Sequence, residues 1–442
     1  MSSPSKKKVL IITYYWPPSG GSAVQRWLSF SNHLVNLGFE VFVLTVSEET
    51  ATYPLWDESL VQKIDSNIQV SHTDTKGVFS IYKKYIGKGQ VPSAGFANEG
   101  KPNLLQLTAR FVRGNFFLPD ARKSWNKTAI PKALELIDQH QIDTVITAGP
   151  PHSSHLIGKK IKKERSSIYW IADFHDAWTD VWYYDKLFKT KPIISIDKAM
   201  EKSILQQADH VLVVGEYLKN VLAQKIAGQE QKFSVISMGY DDAIDQMEMQ
   251  QVNADFTITY TGTIDVDYGP EILIDALKNL ISENATYRIK LKFVGLLSPA
   301  IRDKIVAEGL EYMLIETGYV SHQKSIEHLV SADCLLLISP EVKSEKFIIP
   351  GKLYEYLATQ KPIINIGHLE TDTARIVSLC DAGKNFNREQ TAALQQYIQQ
   401  LYAVWQNTED EKLDKPKNTF FKNYRRSQEA AKIALVLEQK PI

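Results

Sequence analysis

The chain has 442 residues, which is too long for a single hydrophobic core and predicts two domains, each with a core of its own. Lysine plus arginine and aspartate plus glutamate both number 51, so the net charge gives no reason to expect nucleic acid as a partner. No run approaches the roughly 20 apolar residues of a membrane span, and the apolar surroundings of Cys334 favour a buried thiol. We therefore expect a protein of the reducing cytoplasm, with a peripheral position on the inner face of the cell membrane as the alternative.

Short apolar runs alternate with helical patterns in the first half of the chain, as is typical of parallel strands buried on both faces. The predicted strands are Val9–Thr13, Val41–Thr45, Thr144–Thr147, Ile168–Ala172 and Val211–Val214. A loop with two adjacent glycines, Gly20 and Gly21, follows the first strand and leads into a helix. Such glycines let the backbone approach a ligand closely beside a helix N-terminus, so both are candidate binding residues; a tight turn is the alternative.

Residues 82–127 are rich in basic and aromatic side chains. Basic residues outnumber acidic ones there by nine to two, and the latter are Glu99 and Asp120. This composition predicts contact with an anionic membrane surface. A solvated insertion with aromatic residues facing the core is the alternative, and no nucleic-acid-binding module is recognisable.

Polar residues follow two neighbouring strands of the first half. His152 opens a helix after the third predicted strand, and His175 and Asp176 follow the fourth. Imidazole and carboxylate groups at strand ends could orient a substrate hydroxyl or stabilise a developing positive charge, so these three residues are candidate catalytic residues. The alternatives are that His152 caps its helix and that Asp173 or Asp176 anchors a loop.

A polar stretch from Ser237 to Ala254 separates this series from a second one and predicts a linker. The second series of predicted strands is Thr257–Tyr260, Ile289–Val294, Met313–Glu316, Cys334–Ile338 and Pro362–Ile366. Asp265 and Asp267 near its start read as a metal-binding D-x-D pair or as the cap of the next helix, and we expect no metal and no cofactor.

The segment Ile349–Leu357 predicts a helix whose start binds an anion. Pro350 suits a first helical position, and the N–H groups that follow it have no partner within the helix. Gly351 and Lys352 are therefore candidate diphosphate ligands, and Glu355, about one helical turn further on, could accept hydrogen bonds from ribose hydroxyls. An amphipathic helix with a surface glutamate is the alternative.

The two series predict an α/β protein with two Rossmann-like doubly wound parallel-sheet domains facing a cleft. We place the N-terminal domain at residues 1–240 and the C-terminal domain at residues 250–415. The tail, residues 416–442, has apolar residues at helical spacing and is expected to pack across a lobe.

Five segments together resemble family 4 glycosyltransferases of the GT-B fold, particularly bacterial enzymes of cell-surface polysaccharide synthesis. They occur in the expected order along nearly the whole chain: Tyr15–Gly21, Gly149–His155, Ala172–Trp178, Tyr260–Thr263 and Gly351–Leu357. The resemblance implies transfer of a sugar from a UDP- or GDP-linked donor to a glycan or lipid-linked acceptor, with retention of anomeric configuration. A non-catalytic partner subunit and a sugar-nucleotide epimerase or phosphorylase of the same architecture are the alternatives.

The resemblance also implies roles for individual residues. Gly20 and Gly21 match the glycine loop near the donor phosphates and the acceptor, Gly262 matches the first loop of the donor domain, and Glu355 matches the ribose-binding second glutamate of the family's E-x7-E pattern. The first glutamate of that pattern would fall at Phe347, and Ile264–Asp267 replaces the usual basic pair. Lys343, Glu345 or Lys346 could supply the missing contacts.

Overall fold

The computed structural model describes residues 7–75, 104–247, 253–342, 344–407 and 418–439. The chain divides into two compact units: Met1–Met238 together with Arg426–Ile442 form the first, and Gly239–Arg425 form the second.

The first unit is built on a seven-stranded sheet whose strands all pair in parallel. Its strands are β1 (Lys8–Ile12), β2 (Glu40–Val46), β3 (Gln69–Thr73), β4 (Thr144–Gly149), β5 (Tyr169–Phe174), β6 (His210–Val213) and β7 (Phe233–Val235). Their order across the sheet is β3-β2-β1-β4-β5-β6-β7. The order reverses between β1 and β4, and open α/β sheets bind ligands beyond the carboxyl ends of the strands at such a point.

Helices cover this sheet. They are α1 (Ser22–Asn36), α2 (Leu104–Phe116), α3 (Asn126–His140), α4 (Ser153–Glu164), α5 (Lys191–Gln207), α6 (Glu216–Ala223) and, from the C-terminus, α13 (Arg426–Glu438). Apolar residues of α13, including Ile433 and Leu437, share one buried cluster with Trp27 and Leu34 of α1. The C-terminal helix thus contributes to the core of the first unit.

The second unit is built on a six-stranded parallel sheet. Its strands are β8 (Phe256–Thr261), β9 (Ile289–Val294), β10 (Leu314–Glu316), β11 (Cys334–Ile338), β12 (Ile363–Ile366) and β13 (Gly383–Phe386), in the order β10-β9-β8-β11-β12-β13. Its helices are α7 (Glu271–Glu283), α8 (Pro299–Ala307), α9 (His322–Val330), α10 (Lys352–Thr359), α11 (Asp372–Leu379) and α12 (Thr391–Gln406). The strand order reverses between β8 and β11.

Two doubly wound parallel sheets confirm the predicted fold class. Strands β3, β7 and β13 are absent from the prediction because they are short and lack a continuous apolar run; the sequence of β13, for example, is Gly-Lys-Asn-Phe. Each is the outermost strand on its side of a sheet. One or both faces of such a strand meet solvent, so its sequence is less apolar than that of a central strand.

Both cysteines, Cys334 and Cys380, are buried free thiols, as the apolar setting of Cys334 predicts. Within the described parts of the chain, every helix is too short or too polar to cross a lipid bilayer.

Candidate active site

Glycines shape the loops that follow β8 and β9 in the second unit. Gly262 has φ of 100°, which an L-residue with a side chain rarely adopts. A Cβ atom on Gly295 would lie 2.4 Å from the carbonyl oxygen of Gly262, so the two loops approach too closely for any other residue at position 295. Gly262 therefore lies where the backbone at the carboxyl end of β8 is exposed to a ligand.

Lys352 joins this loop to the start of α10. Its Nζ donates a hydrogen bond of 2.7 Å to the carbonyl oxygen of Thr261, and a Cβ atom on Gly262 would lie 3.3 Å from Nζ. The ammonium group also lies 3.7 Å from the ring centroid of Tyr260. Burial lowers the pKa of Lys352 to about 7, although Glu355 partly offsets this effect. The Lys352 amine therefore gains or loses its proton near neutral pH. It lies close to Gly262, and Lys352 directly follows Gly351; both glycines are predicted to bind phosphate.

The start of α10 differs in detail from the prediction. The helix begins at Lys352, two residues after Pro350, and the Leu353 N–H already donates to the Pro350 carbonyl at 3.0 Å. The Tyr354 N–H likewise donates to Gly351, at 3.3 Å. Among the described residues, the N–H groups of Gly351 and Lys352 have no acceptor, so two amides at this helix start are available to an anion.

Glu355 lies on the same helix and is largely buried, with 17% of its side chain exposed. Its Oε1 accepts a hydrogen bond of 2.7 Å from Nε2 of His322, the first residue of α9. The glutamate is therefore held in place by a neighbour that the sequence analysis does not identify.

The residues proposed as substitutes for the missing family contacts have other partners. Glu345 is buried, and its Oε1 accepts a hydrogen bond of 2.7 Å from the backbone N–H of His368. Lys346 is exposed and forms an ion pair with Glu370 at 3.0 Å, and Lys343 lies outside the described residues. Glu345 thus supports the fold of the loop around it.

Asp265 has a local role. Its Oδ1 accepts a hydrogen bond of 2.7 Å from the N–H of Val266 and thereby caps the 3-10 turn Val266–Tyr268. Asp265 therefore caps this turn and not the helix that starts near Pro270, which is the predicted alternative; α7 has no side-chain cap among the described residues.

In the first unit, the glycine loop leads from β1 to α1. Gly21 has φ of 110°, and a Cβ atom on it would meet nothing within 4 Å. The Gly20 N–H donates to the carbonyl oxygen of Leu55 at 3.0 Å, so this amide is engaged within the protein. The open space therefore lies at Gly21 and at the start of α1, which has no side-chain cap.

A buried ion pair connects α1 to the end of β5. Arg26 and Asp173 are both fully buried, and Arg26 Nη1 lies 2.8 Å from Asp173 Oδ2. The same carboxylate oxygen accepts hydrogen bonds from Trp27 Nε1 at 2.9 Å and from His175 Nε2 at 2.8 Å. Burial opposes ionisation of Asp173, but Arg26 and His175 outweigh it and hold the pKa of the carboxyl well below its usual range. Arg26 also donates to the backbone carbonyls of Ser237 and Ile236.

Asp173, rather than Asp176, is the partner of His175. Asp173 and Arg26 both contact Nε2 of His175, and these two contacts fix the orientation of the ring. His175 Nδ1 is buried and has no hydrogen-bond partner among the described residues. Asp176 is exposed and makes no hydrogen bond with them. Of these candidates, His175 has the better-defined orientation.

His152 precedes α4 but does not cap it. Asp120 does so, since its carboxylate accepts from the N–H and from Oγ of Ser153, both at 2.8 Å. The His152 ring stacks on Trp178 at 5.1 Å, and burial followed by the nearby His155 lowers the pKa of His152 well below its usual value. His152 is therefore a neutral imidazole close to His175, at the ends of the adjacent strands β4 and β5.

Only part of the predicted basic surface can be located. Residues 82–103 lie outside the described parts of the chain. Arg110 is buried and Arg122 is partly buried, so these two cations face the protein; Lys123 and Lys127 are exposed.

Arg26, His155, His322 and Arg122 are site residues that sequence reasoning misses. Arg26 could have been recognised from the sequence, because it is a charged residue among the apolar positions Val24, Trp27 and Leu28 of an amphipathic helix. The partners of His322 and Arg122 are 33 and 70 positions away and leave no local pattern, whereas His155 contacts Thr147, which is 8 positions away.

Comparisons with known proteins agree with this architecture. Residues 93–244 match the family model of Glycosyltransferase Family 4. A sequence search of curated proteins finds no match. Among solved structures, a glycosyltransferase from Rickettsia africae ESF-5 has a TM-score of 0.63 at 14% identity, over 99% of each chain.

Two further structures share the fold. The apo form of the lipopolysaccharide outer core galactosyltransferase WaaB has a TM-score of 0.59 at 12% identity, over 98% of this chain and 100% of its own. A TarM mutant from S. aureus, in complex with Fondaparinux, alpha-GlcNAc-glycerol and UDP, has a TM-score of 0.55 at 10% identity, also over 98% and 100%. The family match and the shared fold together support a glycosyltransferase with the GT-B fold, and the predicted resemblance is confirmed.

Proposed function

We propose that this chain transfers a sugar from a UDP- or GDP-linked donor to a glycan or lipid-linked acceptor in cell-surface polysaccharide synthesis. The observation that carries the proposal is the convergence of Gly262 and Lys352 where β8 and β11 end, with Glu355 one turn further along α10. This place is the switch point of the second sheet, where nucleotides bind in doubly wound folds. The UDP in the TarM complex is consistent with such a donor.

In the proposed donor complex, the diphosphate is bound by the Lys352 ammonium and by the N–H groups of Gly351 and Lys352. These groups neutralise the charge that builds up on the leaving nucleotide as the sugar departs, which is the main electrostatic requirement of the reaction. Glu355 accepts hydrogen bonds from the ribose hydroxyls, in exchange for its present contact with His322.

In the proposed acceptor complex, residues of the first unit orient the attacking hydroxyl. His175 Nδ1 is the group that contacts this hydroxyl, because it is a buried ring nitrogen without a partner among the described residues. His152 and Asp176 lie beside it as further candidates, and Gly21 leaves room at the glycine loop. Retention of configuration follows from the family resemblance and is tested by comparing the anomeric configuration of donor and product by NMR.

We further propose a cytoplasmic location with peripheral contact to the inner membrane face. The exposed residues Lys123 and Lys127 of the basic segment support this contact. Sedimentation with phosphatidylglycerol vesicles but not with phosphatidylcholine vesicles would be the expected result.

The direct test of the function is a screen of UDP- and GDP-linked sugars for binding and for slow hydrolysis without an acceptor. We expect one nucleotide to bind and its sugar to be released. Failure to bind any nucleotide, together with a stable complex with another transferase, would favour the non-catalytic alternative. An epimerised nucleotide sugar among the products would favour an epimerase.

The pKa of Lys352 predicts how nucleotide binding depends on pH. Because a bound diphosphate favours the charged amine, binding above about pH 7 requires uptake of a proton, and the affinity is expected to fall by up to about tenfold per pH unit. Calorimetric titration with UDP or GDP between pH 7 and 9 measures this slope, since a terminal phosphate with a second pKa near about 6 is already ionised there.

The matched control is Lys352→Arg, whose guanidinium stays charged throughout this range. Its nucleotide affinity is expected to be independent of pH. If the wild type and the variant show the same slope, the proton is taken up elsewhere and Lys352 is not a phosphate ligand.

A further inference from the structure

Arg122 of the first unit is a cation that forms no salt bridge with a described residue, although the nearby charge of Asp120 helps to raise its pKa. Its guanidinium lies 5.7 Å from the ring centroid of Tyr15 and 5.9 Å from that of Tyr14, and its Nη2 donates to the carbonyl oxygen of Thr52 at 3.2 Å. Its Nε is buried and has no hydrogen-bond partner in the described part of the chain. Among the described residues, no carboxylate forms an ion pair with this side chain. Removing a cation from water without a partner is unfavourable, so the site favours an anionic ligand.

The nearest acidic residue does not fill this role. The Asp120 carboxylate accepts from the backbone N–H of Arg122 at 2.9 Å and from the N–H and hydroxyl of Ser153. It thus caps two helical segments, the 3-10 turn Ala121–Trp125 and α4, with both oxygens engaged. The charge of the Arg122 guanidinium is left for another partner.

A second arginine, Arg113 of α2, lies in the same neighbourhood. Burial and then the charge of Arg122 lower the pKa of Arg113, as expected for two guanidinium groups that repel each other. The end of α2 is fixed in place: Asn115 Nδ2 donates to the carbonyl oxygen of Phe188 at 3.1 Å, and Asn115 Oδ1 accepts from the Thr190 N–H at 2.8 Å. Two positive charges are therefore held close together by the fold.

The opposite face of α2 is apolar and exposed. Leu104, Phe111, Val112 and Phe116 lie on one side of the helix, and between 40% and 80% of each residue is exposed. Phe188, which the contact with Asn115 places beside this helix, is 48% exposed. A run of large exposed apolar residues on one face indicates contact with a lipid or another protein. Here it adjoins a pair of arginines, which suits a lipid with an anionic head group.

We propose that Arg122 and Arg113 bind the phosphate or diphosphate group of a lipid-linked acceptor, whose lipid chain lies along the exposed face of α2. Guanidinium groups bind phosphate oxygens through two parallel hydrogen bonds, and the aromatic rings beneath Arg122 hold its planar group in position. The inference rests on the proposed function and narrows its acceptor to a prenyl phosphate or diphosphate ester.

The test is a titration with farnesyl diphosphate, followed by calorimetry in the presence of saturating UDP or GDP so that the donor site is occupied. We expect Arg122→Gln to weaken binding by roughly 10- to 100-fold, as for loss of a hydrogen-bonded charged group. Arg122→Lys keeps the charge without the paired donors and is expected to show an intermediate loss. Arg165→Gln, which removes an exposed arginine paired with Asp138 elsewhere in the same unit, should bind like the wild type.

Two further ligands test the phosphate contact and the lipid contact separately. Farnesol lacks the phosphate and is expected to bind weakly and equally to all variants, whereas inorganic diphosphate lacks the chain and is expected to bind more weakly than farnesyl diphosphate. Equal affinity of wild type and Arg122→Gln for farnesyl diphosphate would overturn the phosphate site. Equal affinity of the wild type for inorganic diphosphate and farnesyl diphosphate would overturn the lipid contact.

Nucleotide affinity provides an independent readout. Unchanged UDP or GDP binding by Arg122→Gln shows that the second unit is intact, and an unchanged urea denaturation curve shows that the first unit, which contains Arg122, is folded. Absence of nucleotide binding in the wild type as well would count against the proposed function, whereas loss of the Arg122 effect with nucleotide binding intact would count against this acceptor site alone.

Discussion

Replacing Asp173 with asparagine is expected to lower the free energy of unfolding of the first unit by about 3–5 kcal/mol, because it leaves the fully buried Arg26 without its counter-charge. The change also weakens the hydrogen bonds from Trp27 and His175 to this position. Urea denaturation followed by circular dichroism measures the effect, and nucleotide affinity of the same sample reports separately on the second unit.

The matched control is Asp138→Asn, which breaks the exposed ion pair between Asp138 and Arg165 in the same unit. Its effect is expected to be much smaller, since exposed ion pairs contribute little. Replacing both partners of the buried pair, with Arg26→Met and Asp173→Leu, should recover part of the loss because no buried charge then remains. If Asp173→Asn and Asp138→Asn cost the same, the buried pair does not hold α1 to β5.

The ion pair of Arg26 with Asp173 also makes the free energy of unfolding depend on pH in the acid range. Because the folded pKa of Asp173 lies below its unfolded value, the contribution of its charge is fully present above the unfolded pKa of about 3.9 and is lost as the pH falls toward the folded pKa. The difference in unfolding free energy between wild type and Asp173→Asn should therefore be constant near neutral pH and shrink below about pH 4.

The parts of the fold that could be predicted are those in which burial imposes a local pattern. Central strands such as β1 and β11 are continuous apolar runs because helices cover both of their faces. The outermost strands β3 and β13 have polar residues at several positions, and their pairing is decided by distant partners. Sequence alone thus predicted the central strands and missed three of the four outermost strands, β10 being the exception.

In the candidate site too, residues marked by a local sequence pattern can be predicted, whereas contacts between distant residues cannot. Gly351 is a candidate because of its place at a helix start, whereas Gly262 is a candidate only through the family resemblance. The ion pair of Arg26 with Asp173 could not, because it joins residues separated by 147 positions. The contact between His322 and Glu355 spans 33 positions and depends on how α9 lies beside α10.

Replacing Glu355 with alanine is expected to weaken binding of UDP or GDP by roughly 10- to 100-fold, because a carboxylate that accepts hydrogen bonds from ribose hydroxyls is lost. Calorimetry with whichever nucleotide binds the wild type measures the change. His322→Ala is the matched control: it removes the present partner of Glu355 at 2.7 Å and leaves the carboxylate available, so its nucleotide affinity should equal or exceed that of the wild type.

The 2′-deoxynucleotide separates a ribose contact from a general effect of charge. Glu355 also raises the pKa of Lys352, so the alanine variant lowers that pKa further and weakens diphosphate binding at neutral pH by a second route. That route acts equally on UDP and on 2′-deoxy-UDP, whereas a contact with the 2′ hydroxyl acts on UDP alone. A larger loss for UDP than for 2′-deoxy-UDP therefore assigns a contact with the 2′ hydroxyl. An equal loss for both nucleotides would exclude a contact with the 2′ hydroxyl and would leave Glu355 acting on the 3′ hydroxyl or on the charge of Lys352.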